Sequence, residues 1–335
     1  MPSSTEIPLI DVSGVLAGDE DAVRRAAAEL RHAYQDVGFW FLAGHDVPQS
    51  LIDETFAAAE RFHALPMERK LVLKANRNNV GYLPLRSTTT RHAALTSTRR
   101  PNQLEAFMMK RDLPDDHPDV VAGKLFRGRN QWPAEEELPG FRATCLAYSA
   151  ALERLALSVL PIYAVALDLP ADWFGHAFRE PSFTLRLSHY PPQEPTPEVE
   201  EYGIAPHADT TFMTLLAPNT VGGLSLRTRS GTWIDAPVIP GAFLVNSGEL
   251  LRRWTNDRFM ATPHRVINRT GVERYALPFF FDTTYDYRMD CLPTCCSADN
   301  PPKYPSVSYQ EYQIEFQRLN YDHVRERDGV APETA

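Results

Sequence analysis

An α+β fold with a double-sheet jelly-roll core and flanking helices is predicted for this 335-residue chain, and three observations carry the prediction. From Phe183 to Phe281 the sequence breaks into eight short strand-like segments: F-T-L-R-L-S-H-Y, I-A-P-H-A, F-M-T-L-L, G-L-S-L-R, T-W-I-D, A-F-L-V-N, H-R-V-I-N and R-Y-A-L-P-F-F-F. Gly, Pro, Asn or Ser turns separate them, as a jelly roll requires. Helical crossovers between them are missing, which counts against a doubly wound parallel sheet. Helical periodicity falls before and after this region instead. The expected organisation is a helical and strand region over 1–100 packed on a core over 101–335, with the functional part at about 181–285. The two parts are expected to fold as one cooperative unit.

Each element has its own signal. Ile7–Asp11 reads as a short edge strand. Val23, Ala27, Leu30 and Tyr34 mark an amphipathic helix from about Glu20 to Gln35. Gly38–Leu42 is an apolar strand ended by Gly44, and Ser50 with Asp53 suggests a weak capping box for a second helix that Pro66 ends. Phe141, Cys145, Tyr148, Leu152, Leu155 and Val159 give a long helix from about Pro139 to Leu167, which Pro161 is expected to kink or divide. Within the strand region Arg229-Ser230-Gly231 reads as a hairpin turn. Ser308-x-x-Glu311 is a capping box for a last helix striped by Tyr309, Tyr312, Phe316 and Leu319.

Composition narrows the function classes. Lys plus Arg is 34 against 43 for Asp plus Glu, a net charge of −9 that favours neither nucleic acid nor an anionic membrane as partner. No apolar run approaches the length of a membrane span, and M-P-S-S-T-E-I-P lacks the basic head and hydrophobic segment of a secretory signal. Cys145, Cys291, Cys295 and Cys296 lack zinc-ligand spacing and read as free thiols of a reducing cytoplasm, the expected location.

One constellation points to chemistry. His207 and Asp209 form an H-A-D step whose side chains share one face of an extended strand. His264 follows 55 residues after Asp209, and Arg274 ten residues later. A lone strand histidine is usually a satisfied polar residue, so the joint pattern carries the weight. Two imidazoles and one carboxylate on one side of a metal leave positions open, which suits a non-heme Fe(II) that must also hold a cosubstrate and dioxygen. Zinc can use the same three groups.

This pattern, together with L-R-L-S-H-Y-P-P at 185–192, the run from Val221 to Glu249 and R-Y-A-L-P-F-F-F at 274–281, resembles the isopenicillin N synthase-like group of Fe(II)- and 2-oxoglutarate-dependent oxygenases. The resemblance covers nearly the whole chain. It implies a double-stranded β-helix core and iron held by His207, Asp209 and His264. It also implies a dioxygenase that decarboxylates 2-oxoglutarate to succinate and oxidises a C–H bond of a small organic molecule, of the kind met in secondary metabolism. Arg274 matches the anchor of the cosubstrate's distal carboxylate, for which a guanidinium fork is suited, and Tyr190 matches the tyrosine that donates to it. Two departures stand out: Ala276 where the family has serine, and Ser188 where it has asparagine. Ser188 is retained as a cofactor-side candidate. The same resemblance makes Tyr82, Arg91, Phe107 and Met108 candidates for a substrate-pocket wall, while Arg186 reads equally as structural or substrate-facing. A same-fold Fe(II) oxidase that needs no 2-oxoglutarate stays open, as do a non-catalytic jelly-roll binding protein and a zinc hydrolase.

Overall fold

The computed structural model describes residues 6–90, 100–194 and 201–320, so Arg91 lies outside the described residues. Thirteen strands build two sheets: β1 (Leu9–Asp11), β2 (Phe39–Ala43), β3 (Gly81–Leu83), β4 (Glu105–Lys110), β5 (Pro181–Tyr190), β6 (Ile204–His207), β7 (Met213–Leu216), β8 (Leu224–Arg227), β9 (Trp233–Asp235), β10 (Phe243–Ser247), β11 (His264–Val266), β12 (Arg274–Ala276) and β13 (Pro278–Thr284). The larger, nine-stranded sheet runs β1-β2-β10-β7-β13-β5-β4-β3, with β12 also paired to β5, and the smaller runs β6-β11-β8-β9. Strands of the first hundred residues belong to the larger sheet, because β2 pairs with β10 and β3 with β4.

Two apolar layers follow from side-chain alternation. On β5, Phe183, Leu185 and Leu187 turn outward into a core shared with the helices Glu20–Asp36, Gln49–His63 and Phe141–Ala166. Tyr190 turns inward to a second core between the sheets, with Met108, Ala106, Leu226, Leu244 and Ala276. β10 is buried along its whole length because β2 and β7 flank it, so its F-L-V run feeds both layers.

Three local expectations meet the structure differently. The helix Phe141–Ala166 runs on through Pro161 without division. Its buried side packs on both neighbouring helices and on β13, and that tertiary contact outweighs the lost amide donor. Although this helix is long and apolar enough to cross a bilayer, it packs here as a core helix. The second helix starts at Gln49 with Pro48 as N-cap, so the Ser50–Asp53 capping box does not form; the fixed φ of proline pre-sets the entry, and Gln49 donates to Asp53 instead. The box at Ser308 does form: Glu311 N–H donates to Ser308 Oγ at 3.1 Å and Ser308 N–H to Glu311 Oε2 at 3.0 Å.

Candidate active site

The smaller sheet places two imidazoles side by side. His207 ends β6 and His264 starts β11, and the two are register partners with ring centroids 4.4 Å apart. Their orientation is set from behind. His207 Nδ1 donates to the Ala205 carbonyl at 2.9 Å and His264 Nδ1 to the Thr262 carbonyl at 3.2 Å. A carbonyl only accepts, so each Nδ1 carries the proton and each Nε2 presents a lone pair. Phe39 meets the His264 ring edge-on at 5.5 Å.

Asp209 completes the group from the loop after β6, and here the two sheets meet. Its Oδ1 stands 3.7 Å from the Nε2 of His207 and 3.7 Å from that of His264. Its Oδ2 is taken by the larger sheet: Thr214 Oγ1 on β7 donates at 2.7 Å and Asn246 Nδ2 on β10 at 2.8 Å. One carboxylate oxygen is thus anchored and the other left free beside two imidazole lone pairs. Burial opposes charge on Asp209, but the two histidines and these hydrogen bonds outweigh it and hold its pKa below the usual carboxylate value. Burial and the neighbouring His264 push His207 down to about 4, which keeps its Nε2 unprotonated near neutrality. The three donor atoms therefore fit a divalent metal in chemistry as well as in position.

Gly248 makes this arrangement sterically possible. A Cβ there would stand 2.4 Å from Thr211 N and 2.7 Å from the Asp209 carbonyl. That carbonyl accepts the Glu249 N–H at 2.8 Å, at the start of the helix Glu249–Trp254. The sequence reading missed Asn246, Thr214 and Gly248 as supports of Asp209. The signal available was a polar Asn at the end of the buried F-L-V-N-S strand, and it named no partner.

Arg274 and Tyr190 stand opposite each other on β12 and β5, with the guanidinium 4.8 Å above the tyrosine ring. Arg274 is 3% exposed; its Nε donates to the Gly222 carbonyl at 3.0 Å, and its Nη1 is buried with no partner. Burial lowers its pKa from the ordinary value. A buried guanidinium with an unused donor is what a carboxylate ligand would complete. It borders a pocket walled by Phe41, Leu216, Leu224, Leu244 and Ala276. Ala276 thus presents only a methyl group there. Ser188 is fully buried, and its Oγ accepts from Arg186 Nε at 3.0 Å.

The expected pocket wall divides. Met108 and Arg186 are register partners on β4 and β5, and Met108 belongs to the inner core. The guanidinium of Arg186 lies 5.3 Å from the Phe280 ring. Tyr82 and Phe107 do not face this interior. Alternation turns both outward, Phe107 into a cluster with Phe62, Phe141 and Trp132, and Tyr82 onto Glu105.

A second cluster with metal-compatible donors, His63, Glu105 and His189, lies on that outer side. Glu105 Oε2 accepts from Lys70 Nζ at 2.8 Å and from the Tyr82 hydroxyl, while Oε1 accepts from His189 Nδ1 at 2.8 Å. His189 Nε2 meets Glu273 at 2.5 Å. With an ammonium already on the carboxylate, this cluster is an ion-pair clamp between β4, β5 and the neighbouring helices rather than an open metal site.

Comparison with known proteins agrees with this geometry. Residues 7–135 match the family described as "non-haem dioxygenase in morphine synthesis N-terminal", and residues 181–283 match the 2OG-Fe(II) oxygenase superfamily. The chain is 37% identical over 313 residues to the 2-oxoglutarate-Fe(II) type oxidoreductase hxnY of Emericella nidulans, covering 92% of this chain and 88% of that one. It is 32% identical to kihadalactone A synthase LFS of Citrus sinensis, covering 98% of each. Its fold superposes on a full-length Neurospora crassa protein solved in complex with alpha-KG and thymine, with a TM-score of 0.81 at 28% identity, over 93% of this chain and 96% of that one. The chain belongs to the 2-oxoglutarate- and Fe(II)-dependent oxygenase family, with the isopenicillin N synthase-like fold, and is an oxidoreductase of the dioxygenase type that uses Fe(II) and 2-oxoglutarate.

Proposed function

We propose that His207, Asp209 and His264 hold the iron, that Arg274 holds the distal carboxylate of 2-oxoglutarate, and that the substrate is a small organic molecule seated near Arg186 and Met108. The observation that carries this reading is the pairing of two incomplete sites in one barrel: three converging lone-pair donors and a buried guanidinium with an unused Nη1. Bound iron supplies the oxidising chemistry, driven by decarboxylation of the ketoacid to succinate. The chain's own residues supply position. Ala205 and Thr262 fix the imidazole tautomers, and Thr214 and Asn246 hold Asp209 so that its Oδ1 stays turned to the two rings. Tyr190 supports the Arg274 guanidinium from below, and burial of the guanidinium strengthens the charge pair it would form. Arg186, tied to Ser188, brings a cation and an aromatic platform to the substrate side. Relatives named as a kihadalactone A synthase and an azadirone synthase favour a role in secondary metabolism.

The test is an anaerobic titration of the apoprotein with Fe(II) and 2-oxoglutarate, followed by the weak visible charge-transfer band of the chelate. The expected result is a band abolished in His207→Ala and needing more ketoacid in Arg274→Leu. Confirmed iron binding with no band at any ketoacid concentration would overturn the cosubstrate assignment.

A further inference from the structure

The inner face of β5 continues past the proposed iron ligands toward the barrel mouth. Ser182, Thr184, Arg186, Ser188 and Tyr190 alternate onto it, with about 7 Å of strand separating Thr184 from Arg186. At the outer end lies a pocket lined among others by Lys110, Phe126, Arg127, Ser182, Tyr309 and Gln313.

Its cations are not equivalent. Arg127 is neutralised by Asp119 at 2.9 Å and Glu180 at 2.7 Å, and Arg111 by Glu153 at 2.6 Å. Lys110 has no carboxylate within ion-pairing distance among the described residues; its Nζ donates to Thr184 Oγ1 at 2.8 Å. An ammonium has three donors, so two remain for a ligand. Ser182 Oγ, on the same face, is buried and without a partner.

The position is also built. The Asn130 side chain clamps both backbone groups of Lys110, accepting from its N–H at 2.9 Å and donating to its carbonyl at 2.8 Å. Phe126 adopts a left-handed φ of 61°, rare for a bulky residue, and its ring lies 5.8 Å from the ammonium. Backbone strain of this kind gathers at ligand clamps. One acid acts electrostatically on Lys110, Asp282. It is fully buried, one oxygen accepting the Phe212 N–H at 2.7 Å and the other without a partner, and burial pushes its pKa up to about 8. Burial likewise pulls Lys110 down to about 8, against the attraction of Asp282. An incoming carboxylate would pair with the ammonium and favour its charged form.

We infer that Lys110 and Ser182 bind a carboxylate of the substrate, so that this oxygenase acts on small organic acids whose acidic group is held at the barrel mouth, away from the carbon facing the proposed iron ligands. This rests on the reading of the same barrel as the catalytic site.

The experiment is calorimetric binding under argon, with Fe(II) and saturating 2-oxoglutarate so that Arg274 is already occupied. The probes are benzoate, phenylacetate and cinnamate, each against its primary amide. The expected result is tighter binding of at least one acid than of its amide. That preference should fall about 10- to 100-fold in Lys110→Met and persist in Lys110→Arg. Circular dichroism on Lys110→Met separates loss of binding from loss of fold, and if that variant does not fold, Ser182→Ala carries the same expected weakening. Acids binding no better than amides, or an acid preference unchanged in folded variants, overturns the inference. Absence of the chelate band before any probe is added sinks the cosubstrate reading instead, while the acid-against-amide comparison still decides the role of Lys110.

Discussion

Replacing Arg274 by methionine should separate two properties that usually fall together. In the free protein this guanidinium is 3% exposed, spends Nε on Gly222 and leaves Nη1 unpaired. An unsatisfied buried charged donor costs about 1–3 kcal/mol, so an apolar side chain of similar length should leave the ligand-free protein as stable as before, or more so. Cosubstrate binding behaves oppositely. Removing one side of a buried, hydrogen-bonded charge pair costs roughly 2–5 kcal/mol, a loss of about 30-fold to several thousand-fold in affinity for 2-oxoglutarate. The assay is thermal unfolding in the presence of Fe(II), with and without 2-oxoglutarate, in which a ligand of the native state raises the midpoint by mass action. Wild type should show the upshift; Arg274→Met should start at the same or a higher midpoint and show none. Arg274→Lys should fall between, because an ammonium keeps the charge but lacks the fork. A methionine variant that binds 2-oxoglutarate within about threefold of wild type, on the scale of 1.4 kcal/mol per tenfold, would refute the assignment.

Asn246→Ala removes one of the two hydrogen bonds holding Asp209 Oδ2 and should weaken Fe(II) affinity about 10- to 100-fold, read by anaerobic metal titration. Ala276→Ser restores a hydroxyl to the wall of the Arg274 cavity and should tighten 2-oxoglutarate by about 2- to 10-fold, measured as a lower KM for succinate formation. Glu105→Gln leaves Lys70 buried without its acid and should lower the unfolding free energy in urea by roughly 3–5 kcal/mol. The same clamp gives the acid limb of stability. Burial holds His63 below its ordinary 6.5, so its contribution is lost as pH falls from there. Burial also works against Glu105, but hydrogen bonds from His189, His63, Lys70 and Tyr82 hold it well below 4.5, so its larger contribution is complete above 4.5 and disappears as pH falls through the folded value. Urea midpoints followed from pH 7 down to about 2 should therefore steepen downward below 4.5 in wild type and lose that lower step in Glu105→Gln.

Much of the fold and the reacting end of the site was legible in the chain itself. Short segments broken by turn residues define the jelly roll, and the H-A-D spacing brings His207 and Asp209 together, although β6 ends at His207 and Asp209 arrives from the loop after it rather than from the same strand face. Arg274 and Tyr190 were singled out by the family resemblance, and the structure sets them opposite each other on β12 and β5. What tertiary structure decided is which strands lie beside which, and on which face. Asn246 and Thr214 became supports of Asp209 only because β10, β7 and the loop after β6 meet across the two sheets, a contact spanning 37 residues of sequence for Asn246. Tyr82 and Phe107 went outward and Met108 inward for a related reason: adjacent strand residues point to opposite faces, so a register shift of one residue exchanges the pocket wall for the helix-facing core. Local pattern sets the period of each element, whereas its phase against its neighbours is set by long-range pairing and burial.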